Sequence, residues 1–238
     1  MLAPRAVAAE VRRRVETRLE SLGALTVEAA FLDRVERFAE ALALWGAKFN
    51  LTAEPTSPDA VAFHIIDSLA PLFLARRPDA ALLASALERG QTVLDLGSGA
   101  GMPGLILAAA LERLSFTLVE ARRKRASFLS VATTAMQLAN VRVETVRLPS
   151  RMFMERFDLV TARAFDRVEN VYRIAAEAAS PGSLLLLYVS QAQPIAMAVA
   201  RACGFEKAAE LAYEVERKDR QRRKLVVWQK IKELNSSE

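Results

Sequence analysis

Hydrophobic residues recur along this chain with two different periods, and the period changes near residue 88. Before that point the spacing is helical. The apolar positions of the clearest helix lie alternately four and three residues apart, at Phe31, Val35, Phe38, Leu42 and Trp45. They predict a helix that begins near Thr26 and ends between Gly46 and Asn50, and a second helical pattern covers residues 58–77. We therefore expect residues 1–88 to form an N-terminal helical extension.

After residue 88, short β-rich runs alternate with helical ones, as in a parallel sheet whose connecting helices cover both faces. The predicted strands span residues 92–97, 115–120, 141–147, 157–162 and 183–189, followed by 208–216 and 223–231. Only a polar turn separates the last two strands, so they must pair antiparallel. The expected fold of residues 89–238 is an α/β, Rossmann-like sheet of seven strands with an antiparallel C-terminal strand.

The first predicted strand leads into a glycine-rich loop. Gly97, Gly99 and Gly101 allow backbone conformations and close approaches that a Cβ would block, and the helix that follows presents free N–H groups to a ligand. The segment also satisfies G-x-G-x-x-G, the dinucleotide fingerprint, so the glycines alone do not identify a cofactor. A plain glycine-rich turn is the alternative without a ligand.

Two carboxylates distinguish between the cofactors. Asp95 lies inside the first strand, where it would repel a pyrophosphate but favour the sulfonium and ammonium cations of S-adenosylmethionine. Glu120 ends the second strand, nineteen residues after Gly101, and can accept hydrogen bonds from both ribose hydroxyls. The pattern therefore favours S-adenosylmethionine and, with seven strands, the methyltransferase variant of the Rossmann-like fold.

Composition bears on compartment and partners. The chain has 33 Lys and Arg against 28 Asp and Glu, a net charge of +5, which is in the range of a nucleic-acid binder. A single cysteine excludes an internal disulfide and is typical of a reducing compartment. One histidine leaves no histidine cluster for a metal, and no apolar run has the length of a signal peptide or a membrane span. We expect a cytoplasmic monomer that binds neither metal nor membrane.

Four segments carry a family resemblance. They are residues 45–52 (Trp-Gly-Ala-Lys-Phe-Asn-Leu-Thr), 64–69 (His-Ile-Ile-Asp-Ser-Leu), 95–104 (Asp-Leu-Gly-Ser-Gly-Ala-Gly-Met-Pro-Gly) and 163–165 (Arg-Ala-Phe). Together they resemble the bacterial 16S rRNA guanine-N7 methyltransferases, also called glucose-inhibited division protein B, over about residues 28–230. The resemblance implies the methyltransferase fold, S-adenosylmethionine as cofactor, and methylation of a guanine N7 in 16S rRNA, either free or in the small ribosomal subunit.

The same resemblance implies roles for individual residues. Arg163 ends the fourth strand and would line the pocket, orienting the methionine carboxylate or an RNA phosphate, whereas an ion pair with Asp166 is the plainer alternative. Met102 would contact the cofactor through its backbone. Leu148 and Pro149 occupy the position at which the family contacts adenine.

His64 and Asp67 lie three residues apart on one helical face and could help to close the pocket or form only a structural pair. Because guanine N7 carries an in-plane lone pair in the neutral base, methyl transfer to it needs no general base. The residues assigned to catalysis, Arg163, His64 and Asp67, would therefore act by positioning and desolvation. Two alternatives stay open: methyl transfer to another RNA position or a small molecule, and a cofactor-binding protein that docks on rRNA without catalysis.

Two basic segments bear on RNA binding. Residues 122–125 (Arg-Arg-Lys-Arg) open a helix, where the dipole disfavours cations, so either a passing phosphate backbone or pairing of Lys124 with Glu120 would explain them. Residues 217–224 hold six basic residues in eight, at the turn of the terminal hairpin. That turn predicts either an RNA clamp or a solvated loop.

Overall fold

The computed structural model describes residues 3–23, 28–46, 48–148, 153–164, 167–215 and 221–231. The elements before the sheet are α1 (Pro4–Leu22), α2 (Ala29–Gly46), α3 (Pro58–Ser68), α4 (Ala70–Leu74), a 3₁₀ turn at Pro78–Ala80, and α5 (Ala81–Arg89). The predicted helix over residues 26–46 is thus confirmed as α2. Within the described ranges, no helix is both long enough and apolar enough to cross a bilayer.

The helical pattern at residues 58–77 forms two helices rather than one. Helix α3 ends at Ser68, and the short α4 follows after Leu69. The break has a local cause, because Pro71 has no N–H to donate to the carbonyl of Asp67 and so cannot continue the helix. The interruption places Asp67 and Ser68 in the last turn of α3, at the edge of the sheet.

The remaining elements alternate along the chain as the sequence predicts. They are β1 (Thr92–Leu96), α6 (Gly104–Ala110), β2 (Ser115–Val119), α7 (Arg123–Ala135), β3 (Val141–Glu144), β4 (Phe157–Arg163), α8 (Val168–Ala178), β5 (Ala179–Ser190), α9 (Met197–Ala202), β6 (Phe205–Val215) and β7 (Gln221–Lys230). They form one seven-stranded sheet in the order β3-β2-β1-β4-β5-β7-β6, in which only the pairings of β7, with β5 and β6, are antiparallel. The predicted fold is confirmed.

The order of the strands determines where a ligand can bind. The chain proceeds from β1 outward to β3 and then crosses back to β4, which pairs with β1 in register Asp95 to Thr161 and Leu96 to Ala162. The carboxyl ends of β1 and β4 are therefore neighbours at the point where the strand order reverses. In open α/β sheets this switch point is where ligands bind.

The two faces of the sheet have separate hydrophobic cores. One core contains α8 and α9, and the other contains α6, α7 and the helices that precede β1. The N-terminal helices thus pack directly on the sheet, and the predicted boundary at residue 88 falls near the end of α5. The division into an extension and a methyltransferase domain stays a prediction.

Helix α1 buries an apolar stripe at Val7, Val11, Val15 and Leu19 and carries arginines on its polar face. These arginines are paired with carboxylates. Arg12 contacts Asp33 and Glu36 of α2, Arg13 contacts Glu10, and Arg18 lies 2.6 Å from an oxygen of Asp59 on α3. The basic face of α1 is therefore neutralised within the fold.

Candidate functional site

The glycine loop follows β1 and begins the site. Gly97, Gly99 and Gly101 have φ values of 65°, 55° and 83°, in the left-handed region that disfavours residues with a Cβ. The loop is tied to the sheet by the Ser98 amide, which donates to the carbonyl of Val119 at 3.0 Å. A Cβ on Gly99 would meet only a guanidinium nitrogen of Arg125 and the carbonyl of Gly97, each at 3.7 Å. The backbone here leaves room for a ligand to approach closely.

Asp95 lies beneath this loop rather than at its surface. Its side chain is fully buried, and its Oδ1 accepts a 2.6 Å hydrogen bond from the hydroxyl of Thr161 on β4. Its Oδ2 faces the backbone of Gly104, where a Cβ would lie 2.5 Å away, and has no hydrogen bond of ordinary geometry within the described ranges. Burial raises the pKa of Asp95, against the hydrogen bond from Thr161.

Glu120 holds the glycine loop against the end of β2. One carboxylate oxygen accepts from the Gly99 amide at 3.0 Å, and the other accepts from the Arg122 amide at 2.8 Å. A carboxylate has about four lone-pair sites, so these two bonds leave acceptor capacity for the ribose hydroxyls predicted from the sequence. The predicted partner Lys124 instead places its Nζ 5.1 Å from the ring centroid of Phe49.

Arg163 and Asp67, predicted as separate site residues, form an ion pair. The Nη1 of Arg163, at the carboxyl end of β4, donates to Oδ2 of Asp67 at 3.1 Å. The alternative partner, Asp166, lies outside the described residues. His64 lies half-buried on α3, with its ring 5.2 Å from that of Phe63 and its carbonyl accepting from the Ser68 hydroxyl. The structure thus joins Asp67 to Arg163 and sets the His64 ring against Phe63.

Two residues that were not predicted as site residues complete the surroundings of Asp67. The hydroxyl of Tyr213 on β6 donates to Oδ1 at 2.7 Å, and Arg223 on β7 donates through Nε and Nη2 at 3.1 and 3.2 Å. Burial opposes ionisation, but the charges of Arg163 and Arg223 and these hydrogen bonds outweigh it, so the pKa of Asp67 is lowered. Asp67 is therefore an ionised carboxylate inside the protein.

The other predicted cofactor contacts are placed as follows. Met102 is buried within the glycine loop. Leu148 lines a cavity of about 130 Å³ between β2, β3 and the start of β4, together with Val119 and Phe153. Pro149 lies outside the described residues. The described part of the chain contains no group of three His, Cys, Asp or Glu that could hold a metal ion.

These residues fit S-adenosylmethionine better than a dinucleotide. A pyrophosphate needs donors, whereas the carboxylates of Asp95 and Glu120 lie under and beside the glycine loop. A negative charge beneath the loop favours a cationic ligand, and a carboxylate with spare lone pairs, such as Glu120, can accept from hydroxyls. Arg163, at the switch point, carries a guanidinium, a group that binds carboxylates.

Comparison with known proteins also indicates a methyltransferase. The proteins named Ribosomal RNA small subunit methyltransferase G from Wolinella succinogenes and Acidiphilium cryptum are 34% and 35% identical to this chain. The aligned parts cover 66% and 76% of this chain and 74% and 76% of those proteins. A methyltransferase from Pyrococcus furiosus matches the fold with a TM-score of 0.51 at 14% identity, covering 64% of this chain and 81% of that structure.

The family model described as GidB, rRNA small subunit methyltransferase G, matches residues 32–226. That range contains the glycine loop, both carboxylates, Arg163 and every partner described for Asp67. The resemblance inferred from four short segments is thereby confirmed. The chain belongs to the GidB family, the rRNA small subunit methyltransferase G proteins.

Proposed function

We propose that the protein transfers a methyl group from S-adenosylmethionine to N7 of a guanine in 16S rRNA. Family membership supports the reaction class and the rRNA acceptor. The observation that carries the proposal in this chain is the position of Arg163, which lies beside the glycine loop at the carboxyl ends of β1 and β4 and is held by a buried carboxylate. When bound, S-adenosylmethionine supplies a methyl group activated by its positively charged sulfur.

The residues around the cleft suit a reaction without a general base. The glycine loop, Asp95 and Glu120 would hold the cofactor, and Arg163 would bind its carboxylate or an acceptor phosphate. Asp67 already accepts four hydrogen bonds, as many as a carboxylate has lone-pair sites, so it is not available to remove a proton. Neutral guanine presents a lone pair at N7. The protein would therefore need only to align N7 with the methyl group and to exclude water from the cleft.

The test uses two acceptors, 30S particles and protein-free 16S rRNA, from cells in which the gene has been deleted. After incubation with S-adenosylmethionine the RNA is digested and its nucleosides are analysed by mass spectrometry. We expect N7-methylguanosine, in one or both acceptors. Cofactor binding in calorimetry without new N7-methylguanosine would overturn the proposal, and another methylated nucleoside would identify a different acceptor.

A matched pair of variants connects the activity to the site. Arg163→Gln should reduce methyl transfer at least a hundredfold, because it removes the cation at the carboxyl end of β4. Arg156→Gln changes an exposed arginine next to the amino end of the same strand and should leave the rate unchanged. Equal rates for the two variants would contradict the placement of the site.

The start of α7 is the surface that we propose for the RNA backbone. Arg122, Arg123 and Lys124 are exposed at the positive end of the helix dipole, where cations are unfavourable. Among the described residues, none of the three has a carboxylate within ion-pair distance, whereas the cations of α1 are paired. Arg125 reaches the carbonyl of Asn50 at 3.4 Å, so this cluster borders both the glycine loop and residues 45–52.

Salt titration of RNA binding tests this surface. The double variant Arg122→Gln and Arg123→Gln should weaken RNA binding and reduce the slope of log affinity against log salt by roughly 1.4–1.8, about 0.7–0.9 for each lost phosphate contact. The control Arg13→Gln removes an exposed arginine that is paired with Glu10 on α1 and should not change the slope. An unchanged slope in the double variant would locate the RNA elsewhere.

We place this activity in the cytoplasm and assign it to a single copy of the chain. The one cysteine is unpaired and buried, which suits a reducing compartment. Sedimentation of the active enzyme at assay concentration measures the oligomeric state directly.

A further inference from the structure

Asp67 connects parts of the chain that are far apart in sequence. It belongs to α3, whereas its donors come from β4, β6 and β7, at separations of 96, 146 and 156 residues. All the bonds converge on one carboxylate that has no solvent exposure. The N-terminal helices and the terminal hairpin therefore meet at the residue that holds Arg163.

The four hydrogen bonds to the Asp67 carboxylate have different roles. Arg223 contacts both carboxylate oxygens, through Nε and Nη2, and so fixes the plane of the carboxylate. Tyr213 fills a further site on Oδ1. Arg163 has a single bond to Asp67, through Nη1, and within the described ranges this is the hydrogen bond that anchors its guanidinium. The orientation of Arg163 consequently depends on a carboxylate that the hairpin holds in place.

Arg223 differs from its neighbour Arg222 at the start of β7. Arg222 points outward, is 71% exposed in its side chain and lies 3.3 Å from Glu214, whereas the Arg223 side chain is only 17% exposed. Both arginines belong to the basic segment 217–224, which the sequence predicts at a turn. The structure separates them, because adjacent strand residues face opposite sides of the sheet.

We propose that Arg223 and Tyr213 are positioning residues of the methyl-transfer site, which hold the Asp67 carboxylate so that it fixes the Arg163 guanidinium at the carboxyl end of β4. The inference rests on the proposed function, in which Arg163 binds the cofactor carboxylate or an acceptor phosphate. It assigns Arg223 to the interior of the site and not to an RNA clamp. The donors act through Asp67 and Arg163, without touching the reacting atoms themselves.

The test is a double-mutant cycle between Arg223→Gln and Arg163→Gln. Affinity for S-adenosylmethionine is measured by calorimetry, and the single-turnover rate is measured with saturating cofactor and RNA. Arg223→Gln alone should lower the rate, the affinity or both by roughly tenfold or more, as expected when a charged hydrogen-bonded partner is removed. In the Arg163→Gln background the same substitution should change them less than threefold, because its effect passes through Arg163.

Three further variants separate positioning from general stability. Arg223→Lys keeps the charge but not the paired bonds and should recover part of the loss. Tyr213→Phe removes one hydrogen bond and keeps the ring. It replaces Arg223→Gln in the double-mutant cycle with Arg163→Gln if the Arg223→Gln protein does not fold. Arg222→Gln should leave cofactor affinity and the rate at saturating RNA unchanged.

The outcomes distinguish this inference from the proposed function. If the wild-type protein binds cofactor and the two substitutions are additive, Arg223 does not act through Arg163 and the inference fails alone. If Arg223→Gln lowers Tm but leaves affinity and rate at wild-type values, its role is only structural, which also overturns the inference. A wild-type protein that binds no S-adenosylmethionine would overturn the proposed function together with the inference that rests on it.

Discussion

Asp67 on α3 and Asp95 on β1 are both completely buried, yet their surroundings differ in kind. Asp67 accepts four hydrogen bonds, three of them from two arginines. Asp95 accepts one from Thr161 and has a second oxygen without a donor of ordinary geometry in the described part of the chain. Arginine charges lower the pKa of the first against its burial, whereas burial raises the pKa of the second.

The difference separates a carboxylate whose charge is compensated by the fold from the one that we propose for the cofactor site. A buried charge is costly unless it is paired and hydrogen-bonded. For Asp67 the protein itself supplies the partners, so its charge is compensated in the folded chain. For Asp95 the burial cost outweighs the compensating interactions, and we propose that a bound cationic cofactor supplies the missing compensation.

The largest effect is expected from Asp67→Asn. Removing the charge leaves Arg163 and Arg223 close together without their shared counter-ion, and breaking a buried ion pair in this way costs about 3–5 kcal/mol. Urea titration of the variant at pH 7 should show that loss in the free energy of unfolding. The exposed carboxylate of Asp79, paired with Arg77, provides the control Asp79→Asn, for which no loss is expected. A stable Asp67→Asn protein would refute its structural role.

The penalty of Asp67→Asn should depend on pH. The pKa of Asp67 is lower in the folded protein than in the unfolded chain, so its stabilisation is present above the unfolded value, about pH 4, and is lost as the pH falls through the folded value. The difference in unfolding free energy between wild type and variant should therefore be constant from pH 8 to pH 5 and shrink below pH 4. A difference that grows in acid would contradict the assigned charge.

Asp95→Asn should have the opposite effect on the free protein. The raised pKa means that Asp95 contributes stability below about pH 4 and loses it as the pH rises through its folded value, a loss that the Asn variant cannot undergo. Unfolding without cofactor should require as much urea as in wild type, or more. Cofactor affinity should fall by roughly tenfold or more through the lost charge. If Asp95→Asn were less stable than wild type but bound the cofactor with unchanged affinity, the roles assigned to Asp67 and Asp95 would be wrong.

The smallest effect is expected from Thr161→Val, which keeps the shape of the side chain and removes the hydroxyl that donates to Asp95 Oδ1. The loss should be about 1 kcal/mol in the free energy of unfolding at pH 7. It should shrink when Asp95→Asn is already present, because the charged acceptor is then gone. Additive losses in the double variant would show that Thr161 stabilises the fold without Asp95.

Most of the sheet could be predicted because its strands are continuous apolar runs between helical patterns. Residues 159–162, for example, are buried from both faces, as a central parallel strand requires. The terminal hairpin followed from a turn too short for a crossover. The break after Ser68 was also present in the sequence, in the missing N–H of Pro71, but the helical period concealed it.

The partners within the site were harder to predict. Glu120 and Arg163 were found because they end strands, but the pairing of Arg163 with Asp67 depends on how α3 crosses the sheet. No local pattern selects one carboxylate over another across 96 residues. Arg223 did carry a signal, because it alternates with Leu225 and Val227, which lie in the core on the same face of β7. Because Arg223 is charged, it was assigned to the basic turn and not to this alternation of inward-facing residues.

The position of Arg223 in the last strand has a consequence for protein synthesis. Asp67 is translated 156 residues before Arg223, and at about 5–20 residues per second the interval is roughly ten to thirty seconds. During that time the nascent helix α3 carries a carboxylate whose counter-ions have not all been made. The cleft can therefore be completed only after β7 has emerged from the ribosome.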